Sequence, residues 1–247
     1  MKRVRLKVAY DGTNYCGWQV QPNEVTIEGV LNETLSELLD EEIEVVGASR
    51  TDSGVHADGN YCIFDTETHI PAEKIAYAMN QRLPEDISIV KSEEVDEDWH
   101  PRYQNSMKTY QYTIINREMP DPVRRLYTYF TYSKLDVDKM KEAAKYLEGE
   151  HDFEAFCSTG SQVDNTVRTI KSLEVTQNGD EIAIIAKGNG FLYNMVRIIA
   201  GTLLEVGEGK LEPSDMEDII ASKDRGRAGK TAVARGLRLV EIKYENE

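Results

Sequence analysis

No apolar run in this chain approaches the roughly 20 residues that a membrane span requires, so no spanning helix is expected. The first eight residues alternate charged and apolar side chains, with no apolar block and no cleavage site. They are expected to form a strand and not a signal peptide. Cysteine is scarce. Cys16, Cys62 and Cys157 are odd in number and far apart, and no Cys-x-x-Cys pair exists. That pattern fits a reducing cytoplasm and argues against a disulfide framework or a zinc cluster. The chain also lacks a Gly-x-x-x-x-Gly-Lys phosphate loop and a His-Glu-x-x-His pair, and Gly188-x-Gly190 lacks the rest of a dinucleotide fingerprint. Asp52 and His56 stand four apart, but on a loop and with no further metal-like cluster, short of the three or four ligands that a metal centre needs.

What is present suffices for a sizeable core. The 247 residues are 40% hydrophobic, enough for one large domain or two smaller ones. The net charge is −15, where a nucleic-acid binder is expected to be basic overall. The distribution qualifies the sum. Acid gathers between Glu33 and Glu44 and between Glu93 and Asp98, whereas Lys223, Arg225, Arg227, Lys230, Arg235 and Arg238 share one stretch with a single acid, Asp224. That stretch reads either as a solvated loop or as a rim that tracks phosphates.

The periodicities predict two α+β halves. Val4, Leu6, Val8 and Tyr10 alternate as a strand, and Thr26 caps a helix whose stripe is Ile27, Val30, Leu31, Leu35, Leu38 and Leu39. Strands are expected at 43–46 and 61–64, a second helix with Pro71 in its first turn, and a strand at 87–90. Strand, helix, strand, strand, helix, strand is the ferredoxin-like order. A similar order follows. Strands are predicted at 108–115 and 128–132, then a helix capped by Asp136 and ended by Gly149, then an irregular segment over 151–164. Strands at 167–175 and 181–187, a helix at 191–206, a short helix at 213–222 and a final strand at 237–244 complete it. The halves are taken as residues 1–103 and 104–247, with a ligand cleft between them.

Between the strands at 43–46 and 61–64 lies Gly47-Ala48-Ser49-Arg50-Thr51-Asp52-Ser53-Gly54-Val55-His56-Ala57, a polar loop with a carboxylate, a guanidinium two residues earlier and two glycines. Loops held by rigid strands are where chemistry tends to sit. The alternative is a plain Asx-turn. Arg197 sits among Met195, Val196, Ile198 and Ile199, so it must reach the surface or meet an anion such as Asp52. Tyr110 and Tyr112 alternate on a strand, which serves either cross-strand packing or base stacking.

Arg50 to Ala57 resembles the catalytic motif of the tRNA pseudouridine synthase A family. Further stretches match in order: Val8 to Gly12 with Gly17-Trp18-Gln19, Lys108 to Tyr112, Phe191 to Arg197, and Ala234 to Leu237. Ser49 and Ser53 replace residues that are often Gly and Ala there, small for small. The resemblance implies two ferredoxin-like (RNP-like) halves whose antiparallel sheets meet at a central basic cleft. It implies a cytoplasmic homodimer that uses no cofactor and no metal. It further implies isomerisation of uridine to pseudouridine in the anticodon stem-loop of tRNA, at positions 38–40 in tRNA numbering. By the same resemblance Asp52 is the nucleophile, Arg50 assists base flipping, Tyr110 stacks on the target base, Arg197 pairs with Asp52, and Leu237 packs beside the base. Arg225 and Arg227 are the expected phosphate contacts in the basic stretch. Two other classes compete. Asp52-Ser53-Gly54 resembles the aspartic protease triplet, but those enzymes need two carboxylates and no second triplet exists. A non-catalytic RNA-binding module would use the same tyrosines and basic stretch.

Overall fold

The computed structural model describes residues 1–160, 163 and 165–245. Positions 161, 162 and 164, part of the segment expected to be irregular, lie outside the described residues. The chain is α+β, with five α-helices and mostly antiparallel strands among the described residues. It divides into two compact units, Met1–Ser106 together with the stretch from Leu239, and Met107–Arg238.

In the first unit the strands are β1 (Lys2–Tyr10), β2 (Val46–Gly47), β3 (His56–Thr66), β4 (Ile87–Val95) and most of β10 (Leu237–Tyr244). The sheet runs β4-β1-β3-β10, with the short β2 also on β3. Helices α1 (Ile27–Leu39) and α2 (Ala72–Met79) alternate with the strands in the ferredoxin-like order. Val4, Leu6 and Val8 are fully buried, as are Ile27, Leu31, Leu35, Ile75 and Met79 of the helices. Each such side chain contributes about 1.5–3 kcal/mol on burial. The other face of β1 carries Arg3, Arg5 and Lys7. Arg5 is buried there because Glu93 binds it at 2.5 Å and the rings of Trp99, Tyr61 and Tyr244 lie 4.9, 5.1 and 5.8 Å from its guanidinium carbon. The sequence-based boundary at 103/104 kept the last strand with the second half; in the fold β10 bonds to β3 and groups with the first unit.

The helix caps follow their sequence signals. Thr26 Oγ1 accepts from Gly29 N at 3.2 Å, and Asp40 ends α1 in the left-handed region. Pro71 stands one residue before α2 instead of inside its first turn. The run 43–46 differs more. Only Val46 joins a ladder. Ile43 N donates to Ser36 Oγ at 3.0 Å and Val45 N to Asn32 Oδ1 at 2.8 Å, so side chains of α1 satisfy this backbone where a strand partner was expected. β3 is longer than expected and takes in His56 to Asn60.

The second unit has β5 (Ser106–Asn116), β6 (Tyr129–Thr131), β7 (Gly149–Asp152), β8 (Val167–Asn178) and β9 (Glu181–Gly188). Its sheet runs β5-β9-β8-β7 and is antiparallel, with β6 parallel on β5. Helix α3 (Val137–Tyr146) is capped by Asp136, whose carboxylate accepts from Lys139 N at 3.1 Å. Gly149, expected to end α3, opens β7 instead, and that strand runs through His151 and Asp152 into the start of the stretch expected to be irregular. Helix α4 (Met195–Gly207) begins four residues later than predicted, because Asn194 sits at φ 60° and the chain turns there. Helix α5 is Asp215–Ser222.

Candidate active site

The motif loop occupies residues 48–55 of the first unit, between β2 and β3. Its burial alternates: Ser49, Thr51 and Val55 are buried, Arg50 and Ser53 are exposed, and Asp52 is half-buried. Two segments hold it. From β3, Tyr61 O accepts from Ala48 N at 2.7 Å, and the Asn60 amide accepts from Ser49 N at 3.2 Å and donates to Ser49 O at 2.8 Å. From β1 and the turn after it, Trp18 N donates to Thr51 O at 3.0 Å and the Tyr10 hydroxyl meets Thr51 Oγ1 at 2.7 Å. The Tyr15 carbonyl accepts from Gly54 N at 3.3 Å and Ser53 Oγ at 3.2 Å. The two segments nearly touch at Gly12, where a Cβ would run into the Val55 carbonyl. Gly12 N donates to the buried His56 Nδ1 at 3.1 Å, which places this motif histidine in a structural bond. Tyr15 is anchored in turn. Its phenol donates to Asp86 at 2.5 Å, and burial together with that carboxylate raises its pKa, which keeps it a neutral donor.

A turn is present at Asp52, and it closes through the backbone: Val55 N donates to Asp52 O at 3.1 Å. Gly54 takes φ 77° in that turn. The bond that closes this turn is made by main-chain atoms alone.

The other candidate residues lie in the second unit. Tyr110 is on β5 opposite Ala186, buried, with its ring edge-on to Phe191 at 5.3 Å between centroids. Tyr112 is fully buried and donates to Val233 O at 3.0 Å, the packing role weighed for these tyrosines. Arg197 on α4 is half-buried. Its Nε donates to Ala232 O at 2.8 Å and its Nη1 to Asn194 Oδ1 at 2.6 Å. Ala232 N returns a bond to Arg197 O at 3.1 Å, so the residues leading to Leu237 run along the guanidinium. Leu237 is buried at the start of β10.

The basic stretch has a structural role that its composition does not announce. Arg225 Nη1 donates to Gly229 O at 3.0 Å and Ala228 O at 3.3 Å, and Nη2 donates to Thr231 Oγ1 at 3.0 Å. Arg225 thus staples its own loop. Gly229 N bonds Thr202 Oγ1 at 2.9 Å and Lys230 N bonds Glu205 Oε1 at 3.1 Å, which ties the loop to α4. Lys223 pairs with Asp152 at 2.5 Å; this ammonium, then Thr166, holds the Asp152 carboxyl below its ordinary range. Arg227 is exposed, with one long bond to Asp218 O at 3.4 Å. Sequence reading missed Asn60, Tyr10 and the stapling role of Arg225. The one available signal was an amide, Asn60, immediately before the strand expected at 61–64. Among the described residues no group of three or more His, Cys, Asp and Glu side chains is placed to hold a metal ion, and no helix is long and apolar enough to cross a membrane.

Known proteins resemble this chain along most of its length. A family model described as tRNA pseudouridine synthase matches residues 7–104 and 143–245. Proteins named tRNA pseudouridine synthase A are similar along the whole chain. The one from Brevibacillus brevis is 48% identical over 99% of this chain and 100% of its own. That from Clostridium acetobutylicum is 48% identical over the same shares, and that from Ruminiclostridium cellulolyticum is 51% identical over 99% and 100%. A chain in the crystal structure of a Cbf5-Nop10-Gar1 complex aligns with 95% of this chain and 57% of its own, at 14% identity and TM-score 0.36. The chain is accordingly an isomerase, of the class that makes pseudouridine from uridine in tRNA. The chain belongs to the tRNA pseudouridine synthase A family.

Proposed function

We propose that this enzyme isomerises uridine to pseudouridine in the anticodon stem-loop of tRNA, with Asp52 as nucleophile and the target base flipped out of its stem. The observation that carries the reading is the loop at 48–55. Its buried residues are bonded to two separate segments, while Asp52 between them stays half-buried. A carboxylate held in that way is fixed in direction and still reachable by a substrate.

The reaction breaks the bond from N1 of uracil to C1′, turns the base, and forms a bond from C5 to C1′. C5 then loses its proton and N1 gains one, so the sum is an isomerisation. Asp52 holds the fragments together by adding to C6 of the base or by taking up C1′ of the ribose. Either route needs the ionised carboxylate, and Arg197 is the cation assigned to keep it so. Flipping costs a few kcal/mol. Arg50, exposed two residues before Asp52, is assigned to the vacated stack, Tyr110 to the face of the flipped base and Leu237 to its edge. Arg225 and Arg227 are assigned to the RNA backbone. The same family likeness leads us to propose a cytoplasmic homodimer that needs no cofactor and no metal.

Asp52→Asn tests the centre of this reading. The amide keeps the size and one acceptor, so the turn survives and tRNA binding is retained, while a single-turnover assay finds no pseudouridine. A mutant that binds tRNA and forms pseudouridine near the wild-type rate removes Asp52 as nucleophile.

A further inference from the structure

Asn60 is fully buried on β3, one residue from the strand bulge that leads into the motif. Between the pairs Val8↔Asn60 and Tyr10↔Ala57, β1 advances two residues and β3 three, so the extra residue lies at Asp58-Gly59. The bulge brings Asn60 and Tyr10 together instead of passing each other along the ladder: Asn60 Nδ2 lies 3.4 Å from the Tyr10 hydroxyl. From there two short paths lead to the residues before Asp52. The Asn60 amide closes a ring on the backbone of Ser49, accepting from its N–H at 3.2 Å and donating to its carbonyl at 2.8 Å. The Tyr10 hydroxyl meets Thr51 Oγ1 at 2.7 Å. Asn60 Oδ1 also accepts from Tyr61 N at 2.9 Å, which locks the amide orientation. Ser49, Thr51, Asn60 and Tyr10 are each 7% exposed or less. Arg50, the residue between the two clamped positions, is exposed.

We infer that Asn60 and Tyr10 are positioning residues for Asp52. Together they clamp Ser49 and Thr51, the inward-facing positions on either side of Arg50, and so set the direction in which the next residue presents its carboxylate. A neutral, buried, mutually bonded set is suited to this. Its bonds are strengthened by the low local dielectric and place no second charge beside the nucleophile. The clamp acts on the chemical step and not on RNA affinity, because none of its side chains faces solvent. This inference rests on Asp52 being the nucleophile.

The test uses Tyr10→Phe, Thr51→Val and their double variant, with Asn60→Asp as a fourth. The first two remove one hydroxyl each and keep shape. We expect each to lower the single-turnover rate of pseudouridine formation about tenfold while the tRNA dissociation constant and KM stay within about twofold. The double variant should be no slower than Tyr10→Phe alone, because Thr51→Val removes only the other end of a bond that Tyr10→Phe has already broken. Asn60→Asp keeps the acceptor for Ser49 N–H and loses the donor to its carbonyl, so its rate should be low at neutral pH. As pH falls and the carboxyl gains a proton to donate, the rate should recover relative to wild type. Wild-type rates in all four variants overturn the proposal. So do rate losses matched by equal losses in tRNA binding and melting temperature, which mark general destabilisation. If Asn60→Asp fails to fold, the hydroxyl pair decides alone. Asp52→Asn, run alongside, separates the two claims. An active Asp52→Asn sinks the nucleophile reading, whereas an inactive one beside fully active clamp variants sinks only the clamp.

Discussion

The loop at 48–55 and the loop at 223–236 are both irregular, both lie against regular elements, and are held by opposite means. The first is tied down by neutral groups in the interior, an amide and two hydroxyls together with backbone bonds to residues 15 and 18. The second is tied down in large part by cations, half-buried Arg225 on three acceptors of its own loop and exposed Lys223 on Asp152, beside the backbone bonds of Gly229 and Lys230 to α4. Each also has a glycine against a facing carbonyl, Gly12 on Val55 and Gly201 on Lys230. The difference follows from what each loop presents. A loop that aims a carboxylate gains from bonds without charge, which neither salt nor pH loosens. On the proposed reading the second loop meets polyanionic RNA and needs its arginines for that, and Arg225 also serves the loop itself.

The widest break in the comparison comes from the two glycines. Gly12→Ala and Gly201→Ala each force a methyl group into backbone, and overpacking of this kind costs about 1–3 kcal/mol. In a chain of this size that lowers the melting temperature by roughly 2–4 °C per kcal/mol, measured by calorimetry. The functional losses should part company. Gly12→Ala should lower the rate of pseudouridine formation in tRNA-saturated enzyme, and Gly201→Ala should lower tRNA affinity. If both variants lose the same property, the two loops do not have separate tasks.

A smaller effect separates the two arginines of the basic loop. Arg227→Met should leave the melting temperature unchanged and reduce the slope of log affinity against log salt by about one, as loss of a single phosphate contact does. Arg225→Met should reduce the slope and also lower the melting temperature, because its staples go with it. A melting shift with no change of slope would make Arg225 purely a part of the loop's frame.

The smallest effect is on pH. Asp152 is held below the ordinary carboxylate range by Lys223 and then Thr166, so its folded pKa lies under its unfolded value of about 3.9. Its contribution is fully present above that unfolded value and is lost as pH falls through the folded one. Lys223→Met should therefore melt slightly below wild type at neutral pH, with the gap narrowing as pH falls below the unfolded carboxylate value. Tyr10→Phe removes a bond between two neutral groups and should show a melting gap that changes little over the same pH range.

Signals carried by residues a few positions apart were readable in the sequence by itself. Thr26 and Asp136 cap α1 and α3 because a side-chain oxygen need only reach a backbone N–H three residues on. The alternation of Val4, Leu6 and Val8 placed β1, and the unbroken order from Arg50 to Ala57 marked the motif. Tertiary structure decided whatever depended on a partner far along the chain. Residues 43–45 looked like a strand, yet their N–H groups go to Asn32 and Ser36 on α1. The helix expected from Phe191 waits until Met195, since Asn194 adopts the left-handed region. The last strand, distant in sequence, groups with the first unit. Asn60 reads as one polar letter ahead of a strand, and its bonds to Ser49 and Tyr10 form only where β3 extends back through it past the bulge at Asp58-Gly59. Sequence periodicity reports which face of an element is buried; which donor meets which acceptor across dozens of residues is settled only when the elements have packed.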